Sequence, residues 1–172
     1  MQLVEQHRID RHDPRFAAID AAAFASTHLD NAALSLTRQA FIHQRQIIPY
    51  EELARDVKTS GEYRALPAKV AQWALRQVAL AWKSSCAACA AWQANPSRFL
   101  GHPTLPHYLH TRGRNRLPST VQAISRAPMN RGSVVPSGLD IPVETRQTAI
   151  DQVRPVPPPR WTHHGQRQWT SG

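Results

Sequence analysis

Pro67 to Ala94 is the segment that most restricts the fold. No glycine or further proline interrupts it. Apolar residues recur at Leu66, Val70, Trp73, Leu80, Ala87 and Ala91, widened by Val78, Ala81, Ala88 and Cys89. That spacing puts them on one side of an α-helix. The segment would form a rod about 40 Å long at about 1.5 Å per residue. Asn95-Pro96 should end it, because asparagine accepts a left-handed cap and proline cannot continue a helix. So long a stripe needs other helices to cover it.

The upstream sequence supplies them. From Arg15 to about Gln46, Phe16, Ile19, Ala23, Leu29, Ala33, Leu36 and Ala40 mark one amphipathic face. Ile48-Pro49-Tyr50-Glu51-Glu52-Leu53 starts a short second helix, with proline in the first turn and two glutamates at the positive end of the dipole. Thr59-Ser60-Gly61 breaks it. These helices can pack as an antiparallel bundle. Trp73, Trp82 and Trp92 read chiefly as core or groove filler, with base stacking as the alternative for Trp82 or Trp92.

The rest has β character. Residues 2–9 alternate loosely, as one short strand would. After Arg98 the chain turns irregular, punctuated by Gly101, Pro103, Pro106 and Gly113. Leu117–Ile124, Leu139–Val143 and Ile150–Val156 read as short strands, and Ser133–Gly138 as a loop. The last sixteen residues, PPPRWTHHGQRQWTSG, have no periodicity and should be disordered or extended.

Charge is distributed unevenly. Residues 1–62 carry a net −2, residues 63–139 carry ten Lys/Arg and no acid, and residues 140–172 carry a net +1. A stretch of one sign is the electrostatic footprint of a polyphosphate binder. An anionic membrane surface would also fit, as would a basic solvated face without a partner. No secretory start is visible, and the most apolar window contains Arg76 and Lys83, which makes it a poor span. Both observations point to the cytoplasm. Two cysteines cannot build a disulfide framework.

The connector 98–116 concentrates this chemistry. Each arginine offers a planar fork of donors that suits phosphate oxygens. An extended backbone would set Arg112, Arg114 and Arg116 on one side, and Tyr108 could stack on a base or ribose. The plain alternative is an exposed loop with an aromatic plug.

The segments HPTLPHYL, GRNRL, VQAIS and SGLDIPV, following a short strand and a helical insertion, resemble the N-terminal part of TnpB-type proteins over residues 1–154. These are transposase-associated RNA-guided nucleases of bacterial insertion sequences. The resemblance implies an α+β fold in which a helical bundle is inserted into an incomplete β-barrel. Residues 1–14 would hold a barrel strand, 15–97 the recognition bundle, 98–116 the basic connector, 117–156 further barrel strands and 157–172 a disordered tail. It implies a nucleic-acid-binding recognition lobe holding guide-type RNA and DNA. The residues expected at the contact are Arg76, Lys83, Arg98, Tyr108, Arg112, Arg114, Arg116 and Arg126. Thr104, His107 and His110 stand where the family tends to carry lysines.

In that family the nuclease is an RNase H-like domain, lying beyond this stretch, that uses three carboxylates to hold metal ions. This chain holds no such set, so it is expected to be catalytically inactive alone, with no cofactor and no metal. The tail is expected to come from a frameshift or premature stop. The alternatives in other classes are a basic helical protein-interaction module and a non-functional remnant of a transposable element.

Three constellations suggest chemistry and fall short of it. Gly138-Leu139-Asp140 looks like the start of an RNase H-like site but has no second or third acid at a suitable distance. Cys86 and Cys89 have zinc-knuckle spacing without a second cysteine pair, and a structural zinc site needs four ligands. His102, His107, His110, His163 and His164 are scattered over loops and tail. Neither a nucleophile elbow nor a Gly-rich phosphate loop is present.

Overall fold

The computed structural model describes residues 5–117, 119–120, 124–125, 132–146 and 152–153. Four helices come first: α1 (Phe16–Gln44), α2 (Tyr50–Val57), α3 (Gly61–Arg64) and α4 (Ala68–Ala94). A single 3-10 turn, Pro96–Arg98, follows α4. Among the described residues five short strands complete the order: β1 (Ser119–Thr120), β2 (Ile124–Ser125), β3 (Ser133–Pro136), β4 (Val143–Glu144) and β5 (Gln152–Val153). The fold is mixed α+β. Among the described residues no helix is long and apolar enough to cross a membrane.

The core is the seam between α1 and α4, closed by α2. Leu29, Ala33 and Leu34 of α1 meet Val70, Ala71, Ala74, Leu75, Val78 and Trp82 of α4, with Leu53 and Val57 of α2 filling the side. Fully burying each aliphatic side chain of this size contributes about 1.5–3 kcal/mol. The expected stripe of α4 was rotated. Leu80 is 57% exposed, Trp73 is half-buried, and Ala81, Ala87 and Ala91 face water. In α1, Leu36 is exposed, and Thr37 takes an inward place by donating its hydroxyl to the Ala33 and Leu34 carbonyls at 3.2 and 2.9 Å.

The bundle is not simply antiparallel. Phe41, late in α1, meets Trp82 edge-on at 5.6 Å, while His28, near the middle of α1, lies close enough to Glu62, which precedes α4, to help lower its pKa. Thus α1 and α4 run in the same direction, and α2 runs back between them. The physical reason is α2 itself. Arg45 takes a left-handed cap (φ 56°) that ends α1, Pro49 opens α2, and this helix brings the chain back to the base before α4 begins. The left-handed conformation expected at Asn95 is absent; that residue is extended at φ −153°. The extended form lets Pro96 enter the 3-10 turn directly.

Residues 98–116 then act as a strap returning along α1. Leu109 N–H donates to Asn31 Oδ1 at 2.8 Å and its carbonyl accepts from Asn31 Nδ2 at 2.9 Å. Arg38 donates to the Pro106 carbonyl at 3.4 Å, and Asn115 N–H to the Ala23 carbonyl at 3.0 Å. From Arg38 to Asn31 the helix descends about 10 Å, and three extended residues from Pro106 to Leu109 cover the same length at about 3.3 Å each. Slack is then taken up by a turn in which Gly113 N–H donates to the His110 carbonyl at 2.6 Å. A Cβ on Gly113 would sit 2.7 Å from that carbonyl oxygen, so the turn requires glycine.

The strap delivers the chain to the base, where Leu117 is buried and the strands begin. β2, β3 and β4 form an antiparallel open sheet with Ile124 opposite Pro136 and Val134 opposite Val143; β1 pairs with β5. Residues 133–136, expected as a loop, are therefore a strand. Turn-forming Ser133 and Pro136 flank β-branched Val134 and Val135, and Val134 and Pro136 face inward. Pro136 stands last in the strand, where its missing N–H matters least. The strand expected over 139–143 shrinks to its last residue and Glu144.

Residues 5–10 belong to no strand, so the part of the expected N-terminal strand that is described is absent. Glu5 reaches the end of the sheet by its side chain instead, accepting from Thr145 Oγ1 at 2.7 Å and Arg146 N–H at 3.2 Å. Residues 1–4 and the tail 157–172 lie outside the described residues. Arg15 clamps sheet to bundle by binding the Asp13 carboxylate and donating to the Pro142 carbonyl at 3.0 Å. The turn before Asp140 rests on the start of α4: Gly138 has φ 77°, and a Cβ there would lie 2.7 Å from Pro67 Cγ.

Candidate nucleic-acid interface

The outer face of α4 is built by spacing alone. Lys69, Arg76 and Lys83 lie seven residues apart and are exposed. Seven residues make almost two full turns, so the three side chains line up about 10 Å apart. At 100° per residue they stand opposite Ala71, Ala74 and Val78, which are buried in the core. Arg76 lies over the Tyr50 ring at 4.7 Å, a cation–π contact that fixes the middle charge. Leu80 is the exposed apolar residue within this row. Lys69 was missed by the sequence reading, although its seven-residue step from Arg76 was there to be found.

The connector residues behave differently. Arg114 does not share a side with Arg112 and Arg116. Its guanidinium turns into α1, donating to Asp20 at 2.6 and 2.8 Å, and stacks over Phe24 at 4.8 Å. Hydrogen bonds from Arg114 hold the Asp20 carboxyl below its usual range. This charge is committed within the protein. The cause is the turn at His110–Gly113, which breaks the alternation that an extended strand would impose. Arg112 and Arg116 remain exposed beside the first half of α1, and Arg98 is exposed beyond α4. Tyr108 is 51% exposed with Arg38 over its ring at 5.3 Å, an aromatic–cation pair facing water. Arg126 lies outside the described residues.

Trp82 is 1% exposed, so stacking on a base is closed to it. Trp92 is half-buried with its ring 4.3 Å from that of His102. Gly138-Leu139-Asp140 forms a turn: Leu139 packs on the core and Asp140 sits in the left-handed region at φ 49°. Among the described residues no group of three or more His, Cys, Asp or Glu side chains could hold a metal ion. His102, His107 and His110 are exposed; His163 and His164 lie outside the described residues.

The structure thus separates the expected contacts into a row on α4 and a looser set along the strap. No family model, curated protein or solved structure matches the chain.

Proposed function

We propose that the chain binds the sugar–phosphate backbone of a polynucleotide through the outer face of α4, as the recognition part of a TnpB-type RNA-guided nuclease. The observation that carries the binding is the exposed row Lys69, Arg76 and Lys83, inside a stretch without one carboxylate. Three point charges in line, with the opposite helix face locked in the core, suit a regular row of phosphates better than a compact anion. The family origin rests on the resemblance of residues 1–154 and on the order of elements, in which the connector carries the chain from the bundle to short strands. Catalysis belongs to a domain that this reading does not assign to these residues.

A gel shift with structured RNA and with duplex DNA, run at two salt concentrations, tests the reading. Three phosphate contacts give a log–log salt slope of roughly −2.7 on duplex DNA and roughly −2.1 on a single strand. Lys69→Ala/Arg76→Ala/Lys83→Ala should lose most of that slope. Equal binding by the triple variant would sink the assignment.

The exposed Leu80 within the row favours one second reading, a protein partner with an acidic and apolar face. Such a partner is retained at high salt, where a polynucleotide is released.

A further inference from the structure

We propose that Cys86 and Cys89 form a two-thiolate site for a soft monovalent cation, copper(I). This inference is independent of polynucleotide binding. The two cysteines stand three residues apart on α4 and are half-buried. Side chains at that spacing share a face, with Cβ atoms about 5–6 Å apart. A disulfide needs Cβ atoms about 3.5–4.5 Å apart, so a direct sulfur–sulfur bond would distort the helix. An ion inserted between the sulfurs spans the wider gap without moving the backbone.

The donor set selects the ion. Thiolates favour soft cations such as copper(I). A structural zinc site needs four ligands, and no third His, Cys, Asp or Glu joins the pair among the described residues. Copper(I) is satisfied by two sulfurs in line. Binding replaces two S–H protons with one Cu⁺ and leaves a complex of net charge −1, with no electron transferred.

The local charge favours that anion. Residues 63–139 hold ten cations and no acid, and Lys83 lies one turn before Cys86. The strap roofs the site, with Trp92 and His102 closing the next turn, but there the Cys89 thiol donates to the Pro103 carbonyl at 3.5 Å, a hydrogen bond that metal binding gives up. The opposing cost is deprotonation, since burial and the neighbouring Cys89 push the Cys86 thiol up. Affinity should therefore rise with pH.

The test is anaerobic titration of the whole reduced chain with copper(I) against a chromophoric copper(I) chelator, with native mass spectrometry for stoichiometry. The expected result is one copper per chain, with uptake lost in Cys86→Ser and in Cys89→Ser while both variants keep the helical circular dichroism of the parent. Failure of the parent chain to take copper from the chelator would overturn the proposal, as would full uptake by the double Cys→Ser variant. Rapid closure of a Cys86–Cys89 disulfide by oxidised glutathione with unchanged helicity would remove its geometric basis.

Discussion

The side-chain amide of Asn31 pairs with the backbone of Leu109 in both directions, at 2.8 and 2.9 Å, as a neighbouring strand would. One residue of α1 thereby satisfies both polar groups of a strap residue that has no sheet to join. Asn31→Ala leaves a half-buried donor and acceptor unpaired, at a cost of about 1–3 kcal/mol. Urea denaturation should show this loss. Trypsin should also cut faster at Arg112 and Arg116, because the strap is released while α1 and α4 remain packed.

Arg114 and Arg76 should differ in what their removal does. Arg114 makes a two-pronged, half-exposed pair with Asp20, and its loss should cost about 0.5–1 kcal/mol of stability. It should leave the salt slope of polynucleotide binding unchanged. Arg76→Ala gives up its contact with the Tyr50 ring, a loss of about 0.5–1 kcal/mol, but unlike Arg114→Ala it should lower that slope by roughly one unit. The salt slope, measured beside stability for both variants, separates a purely structural arginine from a binding one.

Trp82 anchors the seam, with Phe41 against its ring edge. Trp82→Ala should destabilise by about 3–5 kcal/mol through the cavity it leaves. Its buried Nε1 finds no protein partner. Trp82→Phe removes that unpaired donor together with part of the ring, so it should cost much less than Trp82→Ala in the same denaturation experiment.

The helices were legible because local signals agreed: Pro49 and Pro67 stand immediately before α2 and α4, and Asn95-Pro96 ends the series. The faces were less legible. In an alanine-rich helix no hydrophobic scale separates Ala71 and Ala74, which are buried, from Ala81 and Ala87, and the partner helix decides. The parallel course of α1 and α4 depends on α2 as a return stroke, which periodicity does not encode. The strap was readable as a return connector, but the pairing of Arg114 with Asp20 spans 94 positions and left no local trace. On α4 the seven-residue charge spacing is visible in full in the sequence, Lys69 included.

Asp30 gives the fold a pH dependence of unusual sign. Burial pushes its carboxyl up to about 6 from an ordinary 3.8, and the Asn115 side chain opposes this only in part. A carboxyl raised on folding opposes folding when charged. Stability is greatest below the unfolded value near 3.8, falls as pH rises from there to about 6, and stays at its reduced level above that. Two pKa units correspond to about 3 kcal/mol. Asp13 works the other way. Hydrogen bonds from Arg15 lower its carboxyl to about 2, so its contribution is present above 3.8 and is lost as pH falls toward 2. Between pH 4 and 6 Asp30 makes stability fall with rising pH, while Glu5 and Glu62, held below their ordinary 4.5 by hydrogen bonds, add the opposite trend at the acid end, so the slope due to Asp30 is read by comparison with its variant. Asp30→Asn keeps the shape and the contact with Asn115 but removes the charge. It should raise the melting temperature at pH 7, leave it nearly unchanged at pH 4, and flatten the curve between. A parallel shift at both pH values would show that the carboxylate is not the cause.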